Sequence, residues 1–124
     1  MESALKLYKK FIDDLVELQQ QGDVTANRVR AKNLWPTSAA SELVKQNKII
    51  KSLNGENGEI VAEMLQYARD GGIHDVLAYL QEEMDLNDLR ITINGVELPV
   101  GHFWDLFHDW QYRRNGESWP DEKA

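Results

Sequence analysis

The chain contains no cysteine. That excludes a disulfide framework, a thiolate nucleophile and any zinc site built on thiolates. No apolar run approaches the ~20 residues of a membrane-spanning helix, and the opening residues, Met-Glu-Ser-Ala-Leu-Lys-Leu-Tyr-Lys-Lys, alternate apolar and charged positions where a signal peptide would be continuously apolar. A cytoplasmic protein without membrane contact is therefore expected. Bases are scarce, with 14 Lys and Arg against 21 Asp and Glu and a formal charge of −7. An excess of carboxylates repels a polyanion, so nucleic acid is not an expected partner. Motifs are scarce as well. There is no Gly-x-Ser-x-Gly elbow, no glycine-rich phosphate loop and no His-Glu-x-x-His zinc spacing.

At 124 residues the sequence suits a single domain over 1–124, with 117–124 as a polar tail. Its charge is bipolar. Residues 28–51 carry six bases against Glu42, whereas residues 52–89 carry nine acids against Arg69.

Apolar periodicity predicts a first helix over 3–21, with Leu5, Tyr8, Ile12, Leu15 and Val16 inward, Phe11 and Leu18 widening that face, and Gly22 as its stop. Thr25 or Asp23 is positioned to cap a short helix through Val29 to Leu34, ended by Trp35-Pro36. Thr37 or Ser38 is positioned to cap a third helix to about Leu53, burying Ala39, Leu43, Ile50 and Leu53 with Ile49 beside them. Asn54-Gly55-Glu56-Asn57-Gly58 reads as a turn, and a fourth helix follows over 59–70. Gly71-Gly72 predicts a sharp break before a fifth helix over 73–84.

The clearest local signal is a hairpin over about 89–98. Asn94-Gly95 suits a two-residue type I′ turn, which places Ile93 opposite Val96 and Ile91 opposite Leu98 on one face, with Thr92 and Glu97 on the other. A last helix is expected over 102–114, with Phe103, Leu106, Phe107 and Trp110 inward and Asp109 paired to Arg113 at i, i+4. Trp119 is large enough to pin the tail. The expected fold is mainly α, a bundle of five or six helices with one hairpin before the last.

Two clusters could carry chemistry. Arg69, Asp70, His74 and Asp75 flank the diglycine, where a helix N-terminus would offer free N–H groups to an anion, and an imidazole held by a carboxylate could act as general base. His102, Asp105, His108 and Asp109 share the last helix but lack a metal-ligand spacing, so no metal or cofactor is expected. Against these stands the reading of solvated helix faces, under which chemistry gives way to contact. Lys45, Lys48 and Lys51 then form a charged face, and Arg69, Trp104 and Trp119 are partner contacts. The composition favours a non-enzymatic protein-binding module, for instance a small acidic inhibitor or immunity-type partner of a basic protein. A small hydrolase or anion-binding enzyme using His74 with Asp70, Asp75 or Asp105, His108 being a further catalytic candidate, and a salt-dependent self-associating protein are the alternatives, and either a monomer or a homodimer is expected.

The run Arg69-Asp70-Gly71-Gly72-Ile73-His74-Asp75-Val76-Leu77, followed by Asn94-Gly95-Val96-Glu97-Leu98-Pro99, Asp109-Trp110 and Ser118-Trp119-Pro120, resembles a family of small bacterial proteins catalogued as a domain of unknown function. The resemblance implies a self-contained bacterial protein and brings no residue roles.

Overall fold

The computed structural model describes residues 3–21, 25–36 and 38–123. Among them are α1 (Ala4–Gln21), α2 (Thr25–Ala31), α3 (Ser41–Ser52), α4 (Gly55–Asn87), β1 (Thr92–Ile93), β2 (Val96–Glu97), α5 (Leu106–Arg114) and a terminal 3-10 turn, Pro120–Glu122. The chain is mainly helical with one small hairpin ahead of the last helix, as the sequence predicts. The roles expected of Gly22, Asp23 and Thr37 fall outside the described residues. The chain divides into two compact units, residues 1–20 with 72–124, and residues 21–71.

In the 21–71 unit, α2, α3 and the first half of α4 enclose Ala26, Val29, Ile50 and Ala62, with Leu53, Val61 and Leu65 packed against them. α2 ends three residues before the expected Leu34. Lys32 turns left-handed at φ 53°, and the bonds from Lys32 N–H to Val29 C=O and from Asn33 N–H to Arg28 C=O close the helix end, a Schellman arrangement that usually recruits glycine. Asn47 then holds Trp35 by both its backbone N–H (2.8 Å) and its C=O (3.0 Å), while the Arg28 guanidinium lies 3.6 Å from the centre of the Trp35 ring. A turn bonded from Ala39 N–H to Pro36 C=O delays α3, so Ala40 rather than Ser38 occupies its N-cap and no side chain caps it. Ile49, expected beside the buried stripe, is 62% exposed. The five-residue turn expected at 54–58 shrinks to the junction at Leu53 and Asn54. The Asn54 side chain accepts the Asn57 N–H at 3.0 Å and caps α4, satisfying a donor that the helix start leaves open.

In the other unit, Tyr8, Ile12 and Val16 of α1 pack with Leu77 of α4, Leu98 after the hairpin, Leu106 and Trp110 of α5, and Trp119. Leu18, expected to widen the α1 face, is exposed. The hairpin has the predicted register, Thr92 opposite Glu97 and Ile93 opposite Val96, and Leu98 N–H bonds Ile91 C=O at 2.8 Å. Asn94 and Gly95 both have positive φ, 51° and 78°, as the type I′ turn requires. The last helix starts four residues later than predicted. Gly101 at φ 96° begins a turn, and Asp105 becomes the N-cap of α5.

Trp119 fixes the tail. Its ring stacks on Phe103 at 5.2 Å between centroids, Arg113 donates to the Glu117 carbonyl at 2.8 Å, and Lys9 meets Asp121 and Glu122 at 2.8 and 2.9 Å. The indole N–H groups of Trp110 and Trp119 find no partner among the described residues. An unmet donor costs about 1–3 kcal/mol, whereas burying an indole of roughly 150–250 Å² stabilises by about 4–6 kcal/mol at 25 cal/mol per Å². Burial wins.

α4 departs most from expectation. It is one helix of 33 residues that runs through Gly71-Gly72 without a break. Glycine ends a helix by turning left-handed, and neither of these two does so. Ile73 packs on the core of the 72–124 unit in the same helical phase as Leu77 and Leu80, so the helix is already under way at the pair, and each glycine costs only ~1 kcal/mol relative to alanine. A Cβ added at either glycine would meet nothing within 4 Å. Gly71→Ala and Gly72→Ala should therefore each raise stability by about 0.5–1 kcal/mol in denaturant titrations. A loss of stability in both would contradict an unbroken helix.

Candidate functional site

α5 is held at its start by three side chains, and these shape the surface beside it. Gln81 of α4 accepts the Leu106 N–H at 2.8 Å, Asp105 accepts the His108 N–H at 2.9 Å, and Asp109 accepts the Trp104 N–H at 3.3 Å. The same Asp105 oxygen lies 2.7 Å from His108 Nδ1. If Nδ1 carries the proton of a neutral imidazole, it donates to Asp105 and leaves Nε2 as an acceptor.

Next to this pair lies an open groove of about 340 Å³, lined by Trp104, His108, Gln111, Tyr112 and Asn115. Trp104 is 47% exposed, and its ring meets Tyr112 at 4.8 Å between centroids. His108, Gln111, Tyr112 and Asn115 follow i, i+3, i+4, i+7 spacing, the polar face of α5 opposite Leu106 and Trp110. No lysine, arginine or carboxylate lines the groove, although Lys123 stands 5.2 Å from the centre of the Tyr112 ring.

A buried ionisable pair joins α5 to α1. Tyr8 donates to Asp109 at 2.5 Å, and both side chains are fully buried. The sequence pairs Asp109 with Arg113, but Arg113 instead binds Asp13 of α1 at 2.8 Å. Burial raises the Asp109 pKa above 3.8 despite the opposing bonds from Tyr8 and the Trp104 N–H, with Asp105 raising it further and His108 lowering it. Burial, then the bond to Asp109 and the charges of Asp109 and Asp105, push the Tyr8 phenol far above its ordinary 10.0, so Tyr8 remains a donor.

The sequence candidates scatter. Arg69 and Asp70 belong to one unit and His74 and Asp75 to the other, all on the continuous α4, so no helix N-terminus exists at the diglycine to attract an anion. Asp70 accepts from Gln66 at 3.0 Å. His74 Nδ1 lies 3.6 Å from Asp75 and sets its ring edge against Phe107 at 4.9 Å; the Phe107 ring also meets His108 at 4.3 Å. His102 packs on Phe103 instead. Of the three histidines only His108 lines the groove. Trp119 is buried, and Lys45, Lys48 and Lys51 are exposed on α3. Among the described residues no three histidines or carboxylates gather within reach of one metal ion. Sequence reasoning missed Gln111, Tyr112 and Asn115, which share the polar face of α5 with His108.

Because folded Asp109 holds its proton more tightly than the unfolded chain does, its contribution to stability is present below 3.8 and is lost as pH rises through the raised folded value. Denaturant titrations across that window should show the wild type losing stability relative to Asp109→Asn as pH increases. A pH-independent gap would place the folded and unfolded values together.

No curated protein and no solved structure matches the chain. A family model does, over residues 1–121. The chain belongs to that family, described as a family of unknown function (DUF6547).

Proposed function

We propose that the protein is a non-enzymatic protein-binding module whose anchor is the groove at Trp104 and Tyr112. The observation that carries this reading is a half-exposed tryptophan walling a groove lined by no lysine, arginine or carboxylate in a chain otherwise rich in surface charge. Binding energy at interfaces concentrates in tryptophan, tyrosine and arginine set in pockets from which water is excluded. The amides of Gln111 and Asn115 both donate and accept, which suits the backbone of a docked segment. α4 supports the same reading. It carries eight acids against Arg69, and Tyr67 and Tyr79 stand exposed on it. Such a helix steers a basic partner into contact. An inhibitor or immunity-type role fits that chemistry.

A second reading has one observation of its own, the Asp105–His108 pair at the groove. In a small hydrolase His108 would take a proton from water attacking a bound ester.

Affinity capture from the native source separates the two. The wild type should retain a stoichiometric basic partner, and Trp104→Ala should weaken that complex by about 30-fold or more, the ~2 kcal/mol of an interface hot spot. Equal capture by wild type and Trp104→Ala would overturn the anchor. Ester turnover by the wild type that His108→Ala abolishes would favour the hydrolase.

A further inference from the structure

We propose that the Trp104 groove takes a proline-rich segment in the polyproline II conformation, its proline rings against Trp104 and Tyr112 and its backbone carbonyls toward the amides of Gln111 and Asn115. The inference deepens the binding-module reading and rests on it.

The groove's floor has the length for such a segment. His108, Gln111, Tyr112 and Asn115 run along one face of α5, and the span from His108 to Asn115 advances about 10 Å at 1.5 Å per residue. One three-residue turn of polyproline II advances about 9 Å at 3.1 Å per residue. Other modes of docking fit less well. None of the lining residues belongs to a strand, so a partner strand finds no backbone edge to pair with. A docked helix lays an apolar stripe of about two turns along its groove, and here only Trp104 and Tyr112 offer large apolar area.

Charge narrows the occupant further. No lysine, arginine or carboxylate lines the groove, so a charged side chain or a phosphate would lose water without gaining a counter-charge. A cation is opposed twice over, because the Lys123 ammonium already lies 5.2 Å from the centre of the Tyr112 ring. The basic charge that α4 attracts in a partner then lies outside the docked prolines.

Hydrogen bonding selects in the same direction. The Trp104 indole N–H and the Gln111 side-chain amide make no hydrogen bond among the described residues, and Asn115 Oδ1 meets Arg114 at 3.5 Å, which leaves the Asn115 NH2 unmet. The indole can only donate, and each amide carries two N–H groups. Proline supplies a carbonyl at every residue and no N–H in need of an acceptor. Its preformed backbone also loses little entropy on docking. The Trp104 and Tyr112 rings meet at 57°, an angled wall that suits a pyrrolidine ring better than a sugar, which stacks on a flat one.

The test is a titration of the full chain with octaproline, followed in proton–nitrogen correlation spectra at the Trp104 indole and the Gln111 and Asn115 amides. These signals should shift together and saturate with a dissociation constant of ~1 mM or below. Trp104→Ala, read at the Asn115 amide, should weaken binding about tenfold or more, as loss of an anchoring aromatic does. Gln111→Ala, an exposed position whose loss leaves the core untouched, should weaken it about threefold, one hydrogen bond's worth. An octapeptide of alternating glycine and serine, and maltotetraose, should leave all three signals in place. No shift with octaproline at ~10 mM, equal affinity in both variants, or a shift with the glycine-serine peptide or the sugar at lower concentration than with octaproline would overturn the proposal. A protein captured through Trp104 that octaproline does not displace would overturn polyproline II docking and leave the binding-module reading standing, whereas silence to octaproline together with no captured partner would overturn both.

Discussion

The hydrogen bond from Tyr8 to Asp109 joins residues 101 positions apart and is fully buried at both ends. A carboxylate in an apolar core is costly unless its oxygens are met, and here they are, by the phenol and by the Trp104 N–H. The two bonds together tie α1 to α5 and fix the turn that presents Trp104. Around this pair the packing is aromatic. Trp110 and Trp119 are buried, Phe103 stacks on Trp119, and Arg113 lies over the Trp119 ring at 5.1 Å while binding Asp13. Trp104, which walls the groove, is thereby tied through its backbone N–H to the buried core.

Charge is organised on a different principle. Only Asp109 is buried among the described charged residues, and the rest of the acid is displayed, most of it on α4. Exposed tyrosines and methionine among those carboxylates have no role in either core. Under the protein-binding proposal they are contact surface for a basic partner.

Features set by neighbouring residues were legible in the sequence. The hairpin follows from two residues that tolerate positive φ, and its register follows from the alternation around them. The α1 stripe through Tyr8, Ile12 and Val16 follows from helical spacing, and Trp119 pins the tail because nothing polar could replace its area. Local rules misled where a distant partner decided. Asp109 has Arg113 one turn away, yet the core offers it Tyr8, and no pattern within α5 encodes that choice. Gly71-Gly72 reads as a stop in isolation, but a stop also needs a left-handed φ that neither glycine takes, and the helix runs on. In the groove, Trp104, Asp105 and His108 stood out by type. Gln111, Tyr112 and Asn115 did not, because a polar helix face looks the same from the sequence whether it lines a groove or meets water.

Tyr8 and Asp109 act as a coupled unit, and a double-mutant cycle in stability measures that directly. Tyr8→Phe leaves the carboxylate short of a donor, and Asp109→Ala leaves the phenol unmet, whereas the double variant leaves neither group stranded. The double variant should therefore be less destabilised than the sum of the singles by about 1.5–3 kcal/mol, the range for a hydrogen bond to a charged group. Additive losses would show that the two residues do not act together and that the turn carrying Trp104 is held by something else.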